Sequence, residues 1–303
     1  MARSGLMPYE WMVKYTPEEE WIKGKGILLW LAFFLTEIGA GIYFVSLFMN
    51  FRVGWLVGWL LTMVVGGGVH IFYLGRPMRS WRALLRIATS ELSRGMWVIF
   101  IYGAVGFFQI LPLVFSQLPW TGEEMVFKTV MGVICILLVV HGFLMMSVVR
   151  ALPFWNSSMM VPLSVASGVS VGSQAILVMM LLGESNLIGI ELWARWALIA
   201  YIALLVMHLW GSSHSSETAQ ASLKRMLAGD ISKGFYTAVV CLIISVIITL
   251  WTWMGGLQGA SGGALILRFI CVVAADMMVR HNIMSSAVYT PIIPKRLHGV
   301  GRV

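Results

Sequence analysis

The chain has 303 residues, 59% of them hydrophobic and only 11% charged, with a net charge of +8. Ordinary soluble domains carry about 25% charged residues, and no globular core of this size can bury so much apolar surface, so lipid must be the solvent. Cys135, Cys241 and Cys271 lie singly inside apolar runs, which leaves no disulfide framework and no iron–sulfur cluster held by this chain alone; no nucleic-acid partner is expected.

Residues 1–26 carry Arg3, Lys14, Lys23 and Lys25 and read as a segment outside the bilayer. The apolar run that follows is too long for a signal-peptide core and reads as a retained span. Eight such runs cover about 27–49, 53–74, 95–117, 126–149, 159–183, 188–211, 234–258 and 261–282. Each exceeds the ~20 residues a helix needs to cross hydrocarbon. Backbone groups in lipid must be satisfied within their own segment, so helices are the default. The expected fold is therefore all-α and integral to the membrane, a polytopic bundle of eight transmembrane helices over residues 27–282, with a tail at 283–303. No internal repeat or soluble domain stands out.

Glu37 sits about ten residues into the first run, within Thr36-Glu-Ile-Gly-Ala-Gly41. An acid at that depth costs about 2.5–3.5 kcal/mol on insertion scales and usually faces a cavity, a partner or a proton path. The bland reading is a neutral carboxyl bonded to a neighbouring helix. Gly66-Gly-Gly68 in the second run and Gly255-Gly256 in the seventh suggest close helix contacts or bends. His70, His141 and His208 lie on the second, fourth and sixth runs, all in the half nearest the termini, with Asp276 and His281 of the eighth at a similar level. Titratable groups at one depth suit proton transfer to or from a bound redox molecule. Two of the histidines could instead ligate a b-type haem, or bond between helices.

The connection after the second run is the densest signal. Tyr73-Leu-Gly-Arg-Pro-Met-Arg-Ser-Trp-Arg-Ala-Leu-Leu-Arg-Ile87, closed by Ser90-Glu-Leu-Ser-Arg94, carries Arg76, Arg79, Arg82, Arg86 and Arg94. Gly75 permits close backbone approach, and Pro77 fixes the turn. Arg76 or Arg79 can donate to a carbonyl oxygen, because a guanidinium offers several donors and stays charged. Anchoring to anionic lipid accounts for part of the cluster. Ser212-Ser-His-Ser-Ser-Glu217 offers a serine and a histidine but no nucleophile-elbow pattern.

An even number of spans puts both termini on one face. Seventeen Lys and Arg fall on that face, with Arg150, Lys224, Arg225, Lys233, Arg280, Lys295, Arg296 and Arg302 joining the segments above; four (Arg52, Lys128, Arg195, Arg268) fall on the other. Such an excess marks the cytoplasmic side, so the termini and the arginine connection are expected in the cytoplasm. Trp21, Trp55, Trp120, Trp155 and Trp193 near run ends fit an interfacial aromatic belt.

The pattern Tyr-Leu-Gly-Arg-Pro-Met-Arg, then Leu-x-Arg-Ile and Ser-x-Leu-Ser, resembles the second-to-third-span loop of the membrane anchor subunits of DMSO reductase-type molybdoenzymes. It is similar also to the wider group of polysulfide reductase anchors and quinol subunits of formate-dependent nitrite reductases. Glu-Ile-Gly-Ala-Gly resembles that group's glycine-rich first helix. The resemblance implies a subunit that binds menaquinone or ubiquinone and holds no metal of its own. It would anchor a ferredoxin-like iron–sulfur subunit and a molybdopterin catalytic subunit in a prokaryotic cytoplasmic membrane. Gly75 and Arg79 match two headgroup-binding positions of that loop. Tyr73 stands where a histidine is expected and Gly95 where a glutamate is expected, leaving His70 and Glu91 as stand-ins. In many members the face bearing the termini is periplasmic. The charge asymmetry here favours the cytoplasm, as in sulfite dehydrogenases and sulfur reductases of this type; the alternative is basic loops tuned to a protein partner.

The expectation is a quinone-dependent oxidoreductase subunit. His70, Tyr73, Gly75, Arg76 and Arg79 would surround the headgroup, and Glu37, His141, His208 and Asp276 would transfer protons. A b-type cytochrome anchor would show a Soret band lost on replacing His70 or His141. A secondary transporter would show inverted repeats.

Overall fold

The computed structural model describes residues 12–181, 183, 187–256 and 261–293. Arg3, Lys295, Arg296 and Arg302 of the charge tally, and residues 182, 257 and 258 of the expected spans, lie outside them. Among the described residues the elements are helical, apart from one isolated antiparallel bridge between Pro17 and Val288. In chain order the helices are α1 (Gly26–Met49), α2 (Arg52–Tyr73), α3 (Glu91–Leu113), α4 (Met125–Ser147), α5 (Met160–Met180), α6 (Leu187–Ser213), α7 (Glu217–Ala228), α8 (Ser232–Gly255) and α9 (Gly262–Ser286). All but α7 are long and apolar enough to cross a membrane.

The spans form two groups. The first, α1 to α4, closes around Tyr43, Trp55, Tyr102, Met131 and Cys135. The second, α5, α6, α8 and α9, packs on the other face of α1 through Leu163, Ile176, Leu198, Leu242, Val272 and Val279. Glycines set the seam. A Cβ on Gly41 would fall 2.2 Å from the Gly168 carbonyl oxygen, and one on Gly172 2.5 Å from the Gly41 oxygen. Helices in lipid associate by such close backbone approach, since hydrocarbon supplies no hydrophobic drive between them.

Within α2, residues Leu60–Gly66 widen into a π-helix. Its buried members, Thr62 and Gly66, both face α1: the Thr62 hydroxyl donates to the Thr36 carbonyl at 3.3 Å, and a Cβ on Gly66 would meet Thr36 Cγ2 at 2.7 Å. Of the Gly66–Gly68 run, Gly66 therefore makes the expected close contact, whereas a Cβ on Gly68 would meet open space. Gly256, at φ +72°, terminates α8.

The end of the second group that bears the termini is capped. Glu18 N–H donates to the Ala287 carbonyl at 2.9 Å, the Tyr289 hydroxyl donates to the Glu18 carboxylate, and Thr290 N–H reaches the Ala151 carbonyl at 2.9 Å. Helix α7 lies at this end. Ser216 caps it by accepting from Ala219 N–H at 3.3 Å, and Ala219, Ser222, Leu223 and Met226 form its buried face. Arg225 holds it by donating to the Ser285 carbonyl at 2.6 Å and to Asp230 at 3.2 Å. That hydrogen bond keeps the Asp230 carboxyl below the usual aspartate range.

Three expectations need correction. Helix α9 runs to Ser286, past the expected boundary at 282, because residues 287–293 find partners only beyond it. Helix α3 starts at Glu91 rather than near 95, because Ser90 supplies its N-cap. Trp55 and Trp155 are fully buried rather than interfacial. Trp155 Nε1–H donates to the Ile283 carbonyl at 2.9 Å, which ties the α4–α5 connection to α9.

Candidate functional site

The arginine connection leaves α2 at Leu74, and Pro77 opens a 3₁₀ segment, Pro77–Arg86. Its arginines divide by role. Arg94 is used structurally: it pairs with Glu91 and donates to the Ile87 carbonyl at 3.1 Å and the Ala88 carbonyl at 2.9 Å. Trp97 Nε1–H reaches the Leu84 carbonyl at 3.1 Å, and the Ser93 hydroxyl bonds the Ala83 carbonyl. These bonds stitch the connection to α3. Glu91, the candidate stand-in acid, is engaged in the pair with Arg94. Arg82 lies over the Trp81 ring at 5.7 Å. Arg76, Arg79 and Arg86 are exposed, and no side-chain hydrogen bond or ion pair engages them among the described residues. A Cβ on Gly75 would meet nothing within 4 Å, so the room above this glycine is open.

His70 is half-buried in the last turn of α2. Its ring stands edge-on to Phe33 at 5.5 Å between centroids and interacts with the Gly66 backbone one turn earlier, while its buried Nδ1 meets no partner in full hydrogen-bond geometry. His141 of α4 also meets Phe33 edge-on, at 6.4 Å. Its imidazole lies flush on Gly95, where a Cβ would come within 1.8 Å of Cε1. Position 95, where the resemblance leads one to expect an acid, is thus filled from α4 by a histidine ring. Gly95→Ala must push that ring away, and overpacking of this kind costs about 1–3 kcal/mol. A lowered melting temperature, restored by combining it with His141→Ala, is the expected result; an unchanged melting temperature for Gly95→Ala would refute the contact.

One turn along α1 from Phe33, Glu37 is buried against Arg280 of α9. Both carboxylate oxygens accept from the guanidinium, Oε1 at 2.7 Å. Arg280 Nε–H donates to Asp276 at 2.8 Å, and the Ser167 hydroxyl donates to the other Asp276 oxygen at 2.6 Å. The guanidinium also lies over the Phe143 ring at 5.1 Å. Two carboxyl groups thus share one guanidinium in a place without bulk water. Beside it is a cavity of about 20 Å³ lined by Trp30, Phe33, Glu37, Gly142, Phe143 and Arg280, room for roughly one water. Phe33 and Gly142 thus join the His70–His141 pair to the Glu37 cluster.

His208 is not part of this assembly. It packs on Phe154 at 5.0 Å, both ring nitrogens lack a partner, and no hydrogen bond or ring contact links it to His70 or His141. His281 stands edge-on to Trp30 at 5.4 Å.

Two buried ion clusters are hidden, in whole or in part, from the sequence pattern. Arg280 and Arg268 read as loop charges there, but both are inside the bundle. Arg268 is fully buried: it pairs with Glu191 of α6, donates to Gln174 of α5 at 2.9 Å and approaches Thr249 of α8 at 3.4 Å. Removing the two arginines takes one residue from each side of the tally and preserves its asymmetry. The cue in the sequence is opposite charge at matching depth: Glu191 near the start of one run and Arg268 near the start of another.

No protein-family model matches the chain. A sulfite dehydrogenase subunit from Allochromatium vinosum is 30% identical over 171 residues, which cover 52% of this chain and 51% of that protein. The chain thus spans about half the length of the curated relative it matches. By length and composition, the eight apolar helices make the chain a multi-pass membrane protein.

Proposed function

We propose that this chain is the quinone-binding membrane subunit of a sulfur-compound oxidoreductase. It would pass electrons between the quinone pool and a ferredoxin-like iron–sulfur subunit seated over the arginine connection, with a molybdopterin subunit beyond. The site's donor set fits a quinone headgroup. Arg76 and Arg79 have unengaged guanidinium groups, and His70 offers a buried nitrogen that meets no partner in full hydrogen-bond geometry. Tyr73 is half-buried beside them, and Gly75 leaves space. The exposed, unengaged guanidinium groups of Arg76 and Arg79, on the connection that leaves the helix carrying His70, are the observation that carries this reading.

A bound quinone supplies two-electron, two-proton chemistry. The chain's own part is to hold and supply protons. His70, Tyr73, Arg76 and Arg79 would bind and orient the headgroup oxygens. His141 neighbours His70, both against Phe33, and would exchange protons inward with Glu37 through the one-water cavity that Phe33 and Gly142 line. The basic excess on the face of the termini supports a cytoplasmic placement of that face, in a prokaryotic cytoplasmic membrane. The likeness to a sulfite dehydrogenase protein supports a partner that oxidises or reduces a sulfur compound.

Solvent extraction of quinone from the purified protein, quantified per chain, tests the site and identifies menaquinone or ubiquinone. Arg79→Ala and His70→Ala are each expected to lower the retained quinone at least tenfold, equivalent to about 1.4 kcal/mol of binding. Retention at the wild-type ratio in both variants would overturn the placement.

A further inference from the structure

The second helix group carries a polar column that continues from Asp276 away from the candidate quinone site. Asp276 and Arg280 sit near one end of α9 and Arg268 near the other. The twelve helical steps from Arg268 to Arg280 correspond to about 18 Å of helix axis, more than half the ~30 Å hydrocarbon thickness. Helix α5 runs antiparallel to α9 in matching register: Ser167 bonds Asp276, and Gln174 bonds Arg268. Ser170 lies between them on the same face of α5. It is fully buried, and its hydroxyl has no hydrogen-bond partner. Tyr201 of α6 is buried and faces Asp276, yet its hydroxyl does not meet hydrogen-bond geometry. Gln174 Nε2 and Arg195 Nε are also buried and unpartnered.

A buried polar group without a partner costs about 1–3 kcal/mol, and native structures satisfy nearly all such groups with protein or ordered water. Four orphans along one column therefore mark places for water. The two ends differ in composition. The end near the termini has two carboxylates and one guanidinium; the other end has Glu191 between Arg268 and Arg195, the latter 3.8 Å away. Arg195 is partly exposed and lies over the Trp253 ring at 5.0 Å, which places that end at the protein surface. The end near the termini is shut by the cap that joins Glu18 to Ala287 and Tyr289. Its opening is sideways, to the cavity between Glu37, Phe33 and Phe143.

We propose that α5, α6, α8 and α9 form a proton route from the membrane face opposite the termini to Glu37. It runs from Arg195 and Glu191 past Gln174, Ser170 and Tyr201 to Asp276. Each hydroxyl or water accepts one proton and releases another, so no group changes its net protonation and no oxidant or reductant is consumed. The route draws protons from one face of the membrane and delivers them beside the candidate quinone site. Beyond Glu37 the route continues past Phe33 to His141 and His70 and leaves at the face that bears the termini, so it needs no quinone to conduct and its test is independent of that reading.

The purified full chain is reconstituted into vesicles loaded with a pH-sensitive dye, and a potassium diffusion potential is imposed with valinomycin. Proton influx is expected to exceed that of protein-free vesicles. Tyr201→Phe combined with Ser170→Ala is expected to lower it at least tenfold. Ser170 has no protein partner and Tyr201 meets Asp276 only outside full hydrogen-bond geometry, so a purely structural role predicts little loss of stability and no change in flux. Equal melting temperatures for wild type and variant separate conduction from folding. Influx no faster than in empty vesicles, or a double variant that conducts like wild type, would overturn the route. Retained quinone in the same preparations reports on the headgroup site separately.

Discussion

Arg280→Leu is expected to destabilise the detergent-solubilised protein by about 3–5 kcal/mol, the usual cost of removing one partner of a buried ion pair. On the scale of ordinary domains this is a fall in melting temperature on the order of 10 °C. The cause is local. Arg280 donates to Glu37 from α1 and to Asp276 within α9, and it also touches Ser167 of α5. Its loss strands two carboxylates in the interior with no cation and releases three helices from one another. Arg79→Leu, an equal loss of charge at an exposed position, is expected to move stability by no more than about 0.5 kcal/mol. The compensated triple variant Glu37→Gln, Asp276→Asn, Arg280→Gln removes the uncompensated charges and is expected to regain most of the lost stability, as neutral replacements of buried ion pairs often do. It should at the same time fail to deliver protons to the cavity. A melting curve for Arg280→Leu that overlays the wild type would show that the cluster is not what joins α1 to α9.

The spans are legible in the sequence because lipid imposes a length and an apolar composition on each, and eight runs meet both. The seam between the two groups is not, because Gly41, Gly168 and Gly172 say only that some backbone approaches closely, not which one. Helix α7 is hidden for a related reason: at twelve residues with a polar outer face it carries no span signal, and only Ser216 and the spacing of Ala219, Ser222, Leu223 and Met226 announce it. Glu37 stands out because an acid inside an apolar run is expensive. Arg280 and Arg268 do not, because a basic residue near a run's end usually reaches the headgroups. Their burial depends on carboxylates contributed by distant parts of the chain, Glu37 for one and Glu191 for the other. His70, His141 and His208 share a depth in the sequence, but depth says nothing about rotation around the helix axis. The structure turns the first two toward Phe33 and the third toward Phe154.

Gly41→Ala is expected to lower both stability and any activity that draws on Glu37, although residue 41 touches no titratable group. The added methyl would sit 2.2 Å from the Gly168 carbonyl oxygen and 2.8 Å from its carbon, and a backbone atom cannot swing aside as a side chain can. Helices α1 and α5 must separate, and small shifts of packed helices commonly cost about 1–3 kcal/mol. Glu37 lies one turn from Gly41 on α1, with its Cγ 3.8 Å from where a Cβ on Gly168 would stand. Moving α1 outward therefore draws Glu37 away from Arg280, and a hydrogen bond of 2.7 Å does not survive a displacement of an ångström. The expected outcome is a lower melting temperature together with at least a tenfold loss of proton delivery in the vesicle assay. Gly68→Ala supplies the control, because a Cβ there would meet open space. If Gly41→Ala melted and conducted like Gly68→Ala, the close crossing of α1 and α5 would not be what holds Glu37 in place.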